Sequence, residues 1–146
     1  MRIKKAKVFT ELALECFKLN GLFVSEGDRI AGEFGLSSAR WKVLGAVAMA
    51  EEPLTVAQVA REMGQARQSV QRIATSMAAD GYFIWKDNPA HKRAKLLCLT
   101  EKGQHTFQQL EDAQAPWANE AVQQLDEQEL QIALDVLRKL AEGFEE

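Results

Sequence analysis

The sequence predicts a mostly α chain with one small β-hairpin, and three observations point to it. Apolar residues recur at helical spacing in segments spread from Val8 to Phe144. Two of these segments are short, lie close together and are separated by Gly64, as in two helices joined by a tight turn. Directly after them, between Tyr82 and Leu99, the pattern changes to two aromatic or β-branched runs around a polar loop. Helix, turn, helix and hairpin in that order describe a winged helix-turn-helix, with further helices left over at both ends of the chain.

The first helix carries Val8, Leu12, Cys16, Leu19 and Phe23 on one stripe, widened to a second face by Phe9, Leu14, Phe17 and Leu22. A helix apolar on more than one side needs more cover than its own domain core supplies. Beyond Gly32 to Gly35, Ser37 is placed to cap a second helix containing Trp41, Leu44, Val47 and Ala48, which ends before Glu51-Glu52-Pro53. Thr55 and Gln58 form a T-x-x-Q capping box ahead of Val56, Val59, Ala60 and Met63, and Gly64 ends that short helix. The next helix, about Ala66 to Ala79, buries Val70, Ile73, Ala74 and Met77, presents Arg67, Gln68, Gln71, Arg72 and Thr75 on the opposite face, and is ended by Gly81.

Tyr82-Phe83-Ile84-Trp85 and Lys95-Leu96-Leu97-Cys98-Leu99 then pair across a loop, Lys86 to Ala94, whose tip holds His91-Lys92-Arg93. Thr100 caps a helix with Phe107 and Leu110 on its apolar side, and Pro116 is expected to interrupt or kink it. Asp126 and Glu129 are expected to form a second capping box, stapled by Leu125 and Leu130, before a final helix with Leu130, Leu134, Leu137, Leu140 and Phe144. Neither terminal helix is needed for the small winged core. Both are therefore expected to pair with a second copy of the chain.

At 146 residues the chain has the length of one domain, which excludes an enzyme with separate cofactor and substrate halves. A composition 47% hydrophobic and 27% charged excludes a disordered chain. The longest apolar run, Val43 to Ala50, is too short to cross a membrane, and because Thr10, Glu11 and Glu15 interrupt the stretch after the basic N-terminus, no secretory signal is expected there. With two cysteines and no disulfide framework, a reduced, cytoplasmic location is expected.

The net charge of −3 on its face argues against a nucleic-acid partner. Its distribution reverses that argument. Residues 61–95 carry seven basic and three acidic side chains, while residues 111–146 sum to −8. Screening confines exposed charges to about 8 Å, so the basic middle can meet phosphates despite the acidic end.

Several longer motifs keep a characteristic order: Leu36-Ser-Ser-Ala-Arg-Trp-Lys-Val-Leu, Pro53-Leu-Thr-Val-Ala-Gln-Val-Ala, Asp80-Gly81-Tyr82 at the end of the recognition helix, and Leu97-Cys-Leu-Thr-Glu-Lys-Gly. In these the chain resembles the MarR family of dimeric winged-helix transcriptional regulators, most strongly from Leu36 to Gly103. The resemblance implies one chain, 1–146, with a DNA-binding core at 36–103 and dimerisation helices at 1–32 and 104–146. It implies a homodimeric repressor on a pseudo-palindromic operator in double-stranded DNA, released by a small aromatic or lipophilic effector, with Phe34 and Trp41 either lining the effector cavity or serving simply as core aromatics. Such wings commonly read Asp-x-Arg. The matching positions here are His91-Lys92-Arg93, so the carboxylate that would orient Arg93 is missing.

For a duplex, Arg67, Gln68, Gln71 and Arg72 are expected in the major groove, where Arg pairs with guanine and Gln with adenine through two hydrogen bonds each. Thr55, Gln65, Ser69 and Thr75 are expected on phosphates, and His91, Lys92, Arg93 and Lys95 on the backbone or in the minor groove, with a protonated His91 adding phosphate affinity. Two other readings stay open: a winged helix used for protein contacts, and a thiol sensor through Cys16, although Cys16 and Cys98 are both expected to be core residues. Neither a metal cluster nor a nucleophile motif is present, since His91 and His105 stand apart and G-x-S-x-G, P-loop and H-E-x-x-H patterns are lacking. No cofactor and no enzymatic activity are therefore expected.

Overall fold

In a computed structural model that describes residues 1–145, the chain forms six helices and a two-stranded antiparallel sheet. These are α1 (Lys4–Gly32), α2 (Ser38–Met49), α3 (Val56–Met63), α4 (Arg67–Ala79), β1 (Phe83–Lys86), β2 (Leu96–Leu99), α5 (Glu101–Ala121) and α6 (Glu127–Phe144). Two compact units result, Met1–Glu111 and Asp112–Glu146. The first holds the winged helix-turn-helix. Its core gathers Val43, Leu44 and Val47 of α2, Val56, Val59 and Ala60 of α3, Val70, Ala74 and Met77 of α4, Phe83 of β1, Leu97 of β2 and Leu110 of α5. Ile73, expected to be buried, packs partly buried at its edge.

Local signals in the sequence account for most element ends. Ser37 Oγ accepts the Arg40 amide at 3.2 Å and starts α2. Thr55 Oγ1 accepts from Gln58 N at 3.2 Å while Gln58 Oε1 accepts from Thr55 N at 2.8 Å, so the neutral capping box is formed in full. Gly64 stands at φ 64° and lets the chain reverse into α4, with the Gln65 amide reaching back to the Ala60 carbonyl. The strands pair Phe83 with Leu99 and Trp85 with Leu97, and the Leu97 amide donates to the Leu54 carbonyl at 2.8 Å, a bridge from the α2–α3 loop that the sequence reading did not foresee.

Four expectations need correction. Cys98 is half-buried rather than core, because strand parity puts it opposite Ile84, away from the Phe83 and Leu97 face. Cys16 is exposed, because only Ile30 and Ala31 of α1 are buried and the helix carries its stripe beyond the winged core. Of the two outcomes expected at Pro116, interruption is excluded: α5 runs on to Ala121, because proline's fixed φ is itself helical. Asp126 stands at the N-cap of α6 but makes no side-chain cap bond, so the second box is not formed. The pairing it would need places two carboxylates three residues apart at an exposed helix end, where their like charges oppose it.

The terminal helices keep the apolar surface that the sequence predicts. Phe17 is 75% and Leu14 62% exposed on α1, and within the second unit Ile132, Leu134, Val136, Leu137 and Phe144 of α6 are exposed.

The corner between α1 and α2 is pinned by Asp28. Its Oδ1 accepts the Ser38 amide at 2.7 Å, and the close approach needs Gly27, where a Cβ would lie 2.9 Å from Ser38 Cβ. The Ser38 backbone bond, and after it the Ser38 side chain, hold the Asp28 carboxyl below its ordinary value against the opposing desolvation, with a lesser contribution from the nearby Lys42 charge. A folded-state pKa below the unfolded one stabilises above the unfolded value, and the gain is lost as pH falls through the folded value. Asp28→Ala is accordingly expected to lower Tm at neutral pH, with the gap to the unaltered protein closing below about pH 4; thermal unfolding across pH checks it, and a gap independent of pH would exclude the bond as its source.

Candidate nucleic-acid interface

One cleft of about 620 Å³ collects residues from α3, α4, β1 and the wing loop of the first unit. Thr55, Val56 and Ala57 come from the start of α3; Arg67, Gln71 and Thr75 from α4; Trp85 from β1; and His91, Arg93, Ala94 and Lys95 from the wing. The α4 residues are spaced i, i+4, i+8 and so form one exposed stripe alongside the buried face of Val70, Ala74 and Met77. Gln71 Nε2 donates to Thr75 Oγ1 at 3.1 Å, which aligns two polar heads along that stripe. Arg67, Arg93 and Lys95 are cationic, and none of the lining residues is acidic. First-turn amides of α3 have no carbonyl behind them to pair with, so Val56 and Ala57 add backbone donors and the positive end of a helix dipole. Such a cleft attracts an anion with repeated oxygen acceptors.

The wing tip is ordered by its own side chains. Asn88 Oδ1 accepts the Ala90 amide at 3.0 Å, and His91 Nδ1 accepts the Arg93 amide at 3.2 Å. His91 thereby performs the turn-closing task that an aspartate would perform two residues before the arginine. That bond needs an unprotonated Nδ1, which leaves Nε2–H as the donor for any ligand.

The base of the wing and the end of α4 are locked together by the Leu99-Thr100-Glu101-Lys102-Gly103 stretch. The Thr100 hydroxyl donates to the Gly81 carbonyl at 2.6 Å, and its oxygen accepts the Gly103 amide at 3.0 Å, capping α5. Lys102 Nζ donates to the Asp80 carbonyl at 2.7 Å and sits 4.5 Å from the Tyr82 ring centroid. Gly103 passes so close to Tyr82 that a Cβ would strike the Tyr82 carbonyl oxygen.

Of the residues expected from sequence, Thr55, Arg67, Gln71, Thr75, His91, Arg93 and Lys95 meet in this cleft. Gln65, Gln68, Ser69, Arg72 and Lys92 are exposed outside it. Phe34 and Trp41 pack partly buried against the hydrophobic core. Val56, Ala57, Trp85 and Ala94 were missed as lining residues. A helix N-terminus was legible at Thr55 and could have extended to the next two amides, whereas Trp85 needed the strand register. Among the described residues, no group of three His, Cys, Asp or Glu side chains could hold a metal, and no helix is long and apolar enough to cross a membrane.

A family model described as MarR family matches residues 34–94, the stretch that builds most of this cleft. An uncharacterized protein of Mycobacterium tuberculosis is 34% identical over 129 residues, spanning 88% of this chain and 89% of that one. Among solved structures, the transcriptional regulator BldR from Sulfolobus solfataricus superposes with a TM-score of 0.82 at 17% identity over 94% of this chain and 99% of its own. CouR from Rhodococcus jostii, solved bound to p-coumaroyl-CoA, gives 0.80 at 16% identity over 89% and 91%.

Proposed function

Because the chain belongs to the MarR family, whose winged-helix fold is that of transcriptional regulators, we propose that it is a sequence-specific DNA-binding regulator working in the cytoplasm as a homodimer. The observation that carries this reading is the acid-free cleft joining the N-terminus of α3, the polar stripe of α4 and the wing. In this reading α4 enters the major groove, where Arg67, Gln68, Gln71 and Arg72 read base edges. Thr55, Gln65, Ser69 and Thr75, with the first amides of α3, hold the phosphates beside it. His91, Lys92, Arg93 and Lys95 follow the backbone or the neighbouring minor groove. The exposed apolar faces of α1 and α6 support pairing of two copies, which presents two recognition helices to a pseudo-palindrome.

Repression follows where the occupied site overlaps a promoter. A small aromatic or lipophilic effector, held near Phe34 and Trp41, would release the DNA by favouring a dimer with a different spacing of recognition helices. The structure of CouR with p-coumaroyl-CoA bound supports reading this chain as responsive to a ligand.

Selection from a random-sequence duplex library is expected to yield a two-fold symmetric site with half-sites about one helical turn apart. Binding to it should fall steeply with salt, with log K changing by about −0.9 per phosphate contacted for each unit of log salt. Failure to retain any duplex at low salt would sink the proposal.

A further inference from the structure

We propose that Arg40 is a positioning residue for DNA binding, a strut from α2 that sets the orientation of the recognition helix α4; this rests on the DNA-binding reading above. Arg40 Nη1 meets Asp80 Oδ2 at 2.8 Å and Nη2 meets Ser76 Oγ at 2.5 Å. Both partners lie at the C-terminal end of α4, Asp80 as its C-cap residue. A planar guanidinium holding two acceptors through separate nitrogens fixes an angle as well as a distance, which an ammonium cannot do. Arg40 does not line the cleft, so its grip acts through α4 rather than on a ligand.

Both ends of the strut are themselves held. On α2, the Arg40 amide is bound by Ser37 Oγ and the Ser38 amide by Asp28 of α1. At the far end, the Asp80 carbonyl takes the Lys102 ammonium of α5. The end of α4 is thus gripped from two sides by cations, where the helix dipole favours them and where the Asp80 carboxylate alone would be opposed. Leverage makes the angle matter. Arg67 lies twelve residues before Ala79, about 18 Å along the axis, so a tilt of about 5° at the far end moves it by ~1.5 Å, enough to break a hydrogen bond.

The strut also joins α1 to α4 through one continuous set of bonds. Asp28 of α1 holds the Ser38 amide, Ser38 lies two residues from Arg40 in the first turn of α2, and Arg40 reaches Ser76 and Asp80.

The test uses the full-length protein, the duplex that it selects and a random-sequence duplex of equal length, across a salt series. Arg40→Ala and Asp80→Ala are each expected to lose about tenfold on the selected duplex and nothing on the random one, with an unchanged salt slope, and the double variant is expected to be no worse than either single. Asp80→Ala decides the sign, because removing a carboxylate near bound phosphates strengthens binding if charge alone operates. Arg40→Lys keeps the charge without the two-point grip and should fall between. In the DNA-free protein, hydrogen exchange of amides 76–81 should quicken several-fold in Arg40→Ala, with α3 unchanged. Tighter or equal binding by Asp80→Ala, or an equal loss on both duplexes by Arg40→Ala with a shallower salt slope, would overturn the strut. If the unaltered protein selects no sequence, the DNA-binding reading itself fails, and the exchange measurement alone decides whether Arg40 holds α4.

Discussion

Replacing Arg67 and Arg93 together with alanine is expected to weaken duplex binding at least a hundredfold while leaving the thermal midpoint within about 2 °C of the unaltered protein. The two guanidinium groups come from α4 and from the wing, and both line the acid-free cleft. A bidentate arginine contact to a base contributes about 1–3 kcal/mol, and two such groups lost together therefore reach about 2–6 kcal/mol for each bound copy. Where the contacts are instead to phosphates, the salt slope should become shallower by about two for each bound copy, so the same titration separates base reading from backbone holding. Both side chains are exposed in the free protein, so their removal leaves the core packing unchanged. Arg29→Ala, which removes a cation paired with Glu26 on the surface of α1, should bind as the unaltered protein does. Fluorescence anisotropy against the selected duplex checks both. Undiminished binding by the double variant would mean that the cleft is not the DNA interface.

Gly103→Ala is expected to destabilise the fold by about 3 kcal/mol or more, lowering Tm by roughly 10 °C, although alanine is the better helix former. The added methyl would strike the Tyr82 carbonyl oxygen and stand 3.0 Å from Leu99 Cδ2. A backbone carbonyl cannot rotate out of the way as a long side chain can. Either the start of α5 moves, breaking the Thr100 bonds to Gly81 and Gly103, or the α4–wing junction shifts. Gly143→Ala is the matched control, since a Cβ there meets nothing within 4 Å and should leave α6 unchanged or slightly stabilised. Thermal unfolding followed by circular dichroism should therefore show a large loss for Gly103→Ala and none for Gly143→Ala, two substitutions of the same type. A Gly103→Ala variant as stable as the unaltered protein would show that the junction is not tightly packed.

How far the site was legible follows from the reach of each signal. The α4 stripe of Arg67, Gln71 and Thr75 was legible because helical period and a capping signal are local, and a helix with one apolar face has its other face decided at the same time. The neutral box at Thr55 and Gln58 formed as expected, whereas the acidic counterpart at Asp126 and Glu129 did not. The same spacing rule holds at both places, but repulsion between two carboxylates is outside it. Cys98 was misplaced because its role depends on strand parity, which turns over with a shift of one residue. Arg40 stands in a motif that the sequence displays, but nothing local marks its partners. Its partners are 36 and 40 residues away, and no periodicity connects α2 to the end of α4.

The sequence by itself determined the order of helices, turn and hairpin, the apolar stripes of the terminal helices, and a basic middle inside an acidic chain. Helix periods, capping spacings and local charge act over a few residues, so they can be read along the chain. Only the tertiary structure decided which of those residues share one cleft, that His91 closes the wing turn in place of a carboxylate, and that Arg40, Thr100, Lys102 and Gly103 meet at the end of the recognition helix. These contacts join residues tens of positions apart, and they form only when the packing of α2, α4, the wing and α5 around the core brings the groups within bonding distance.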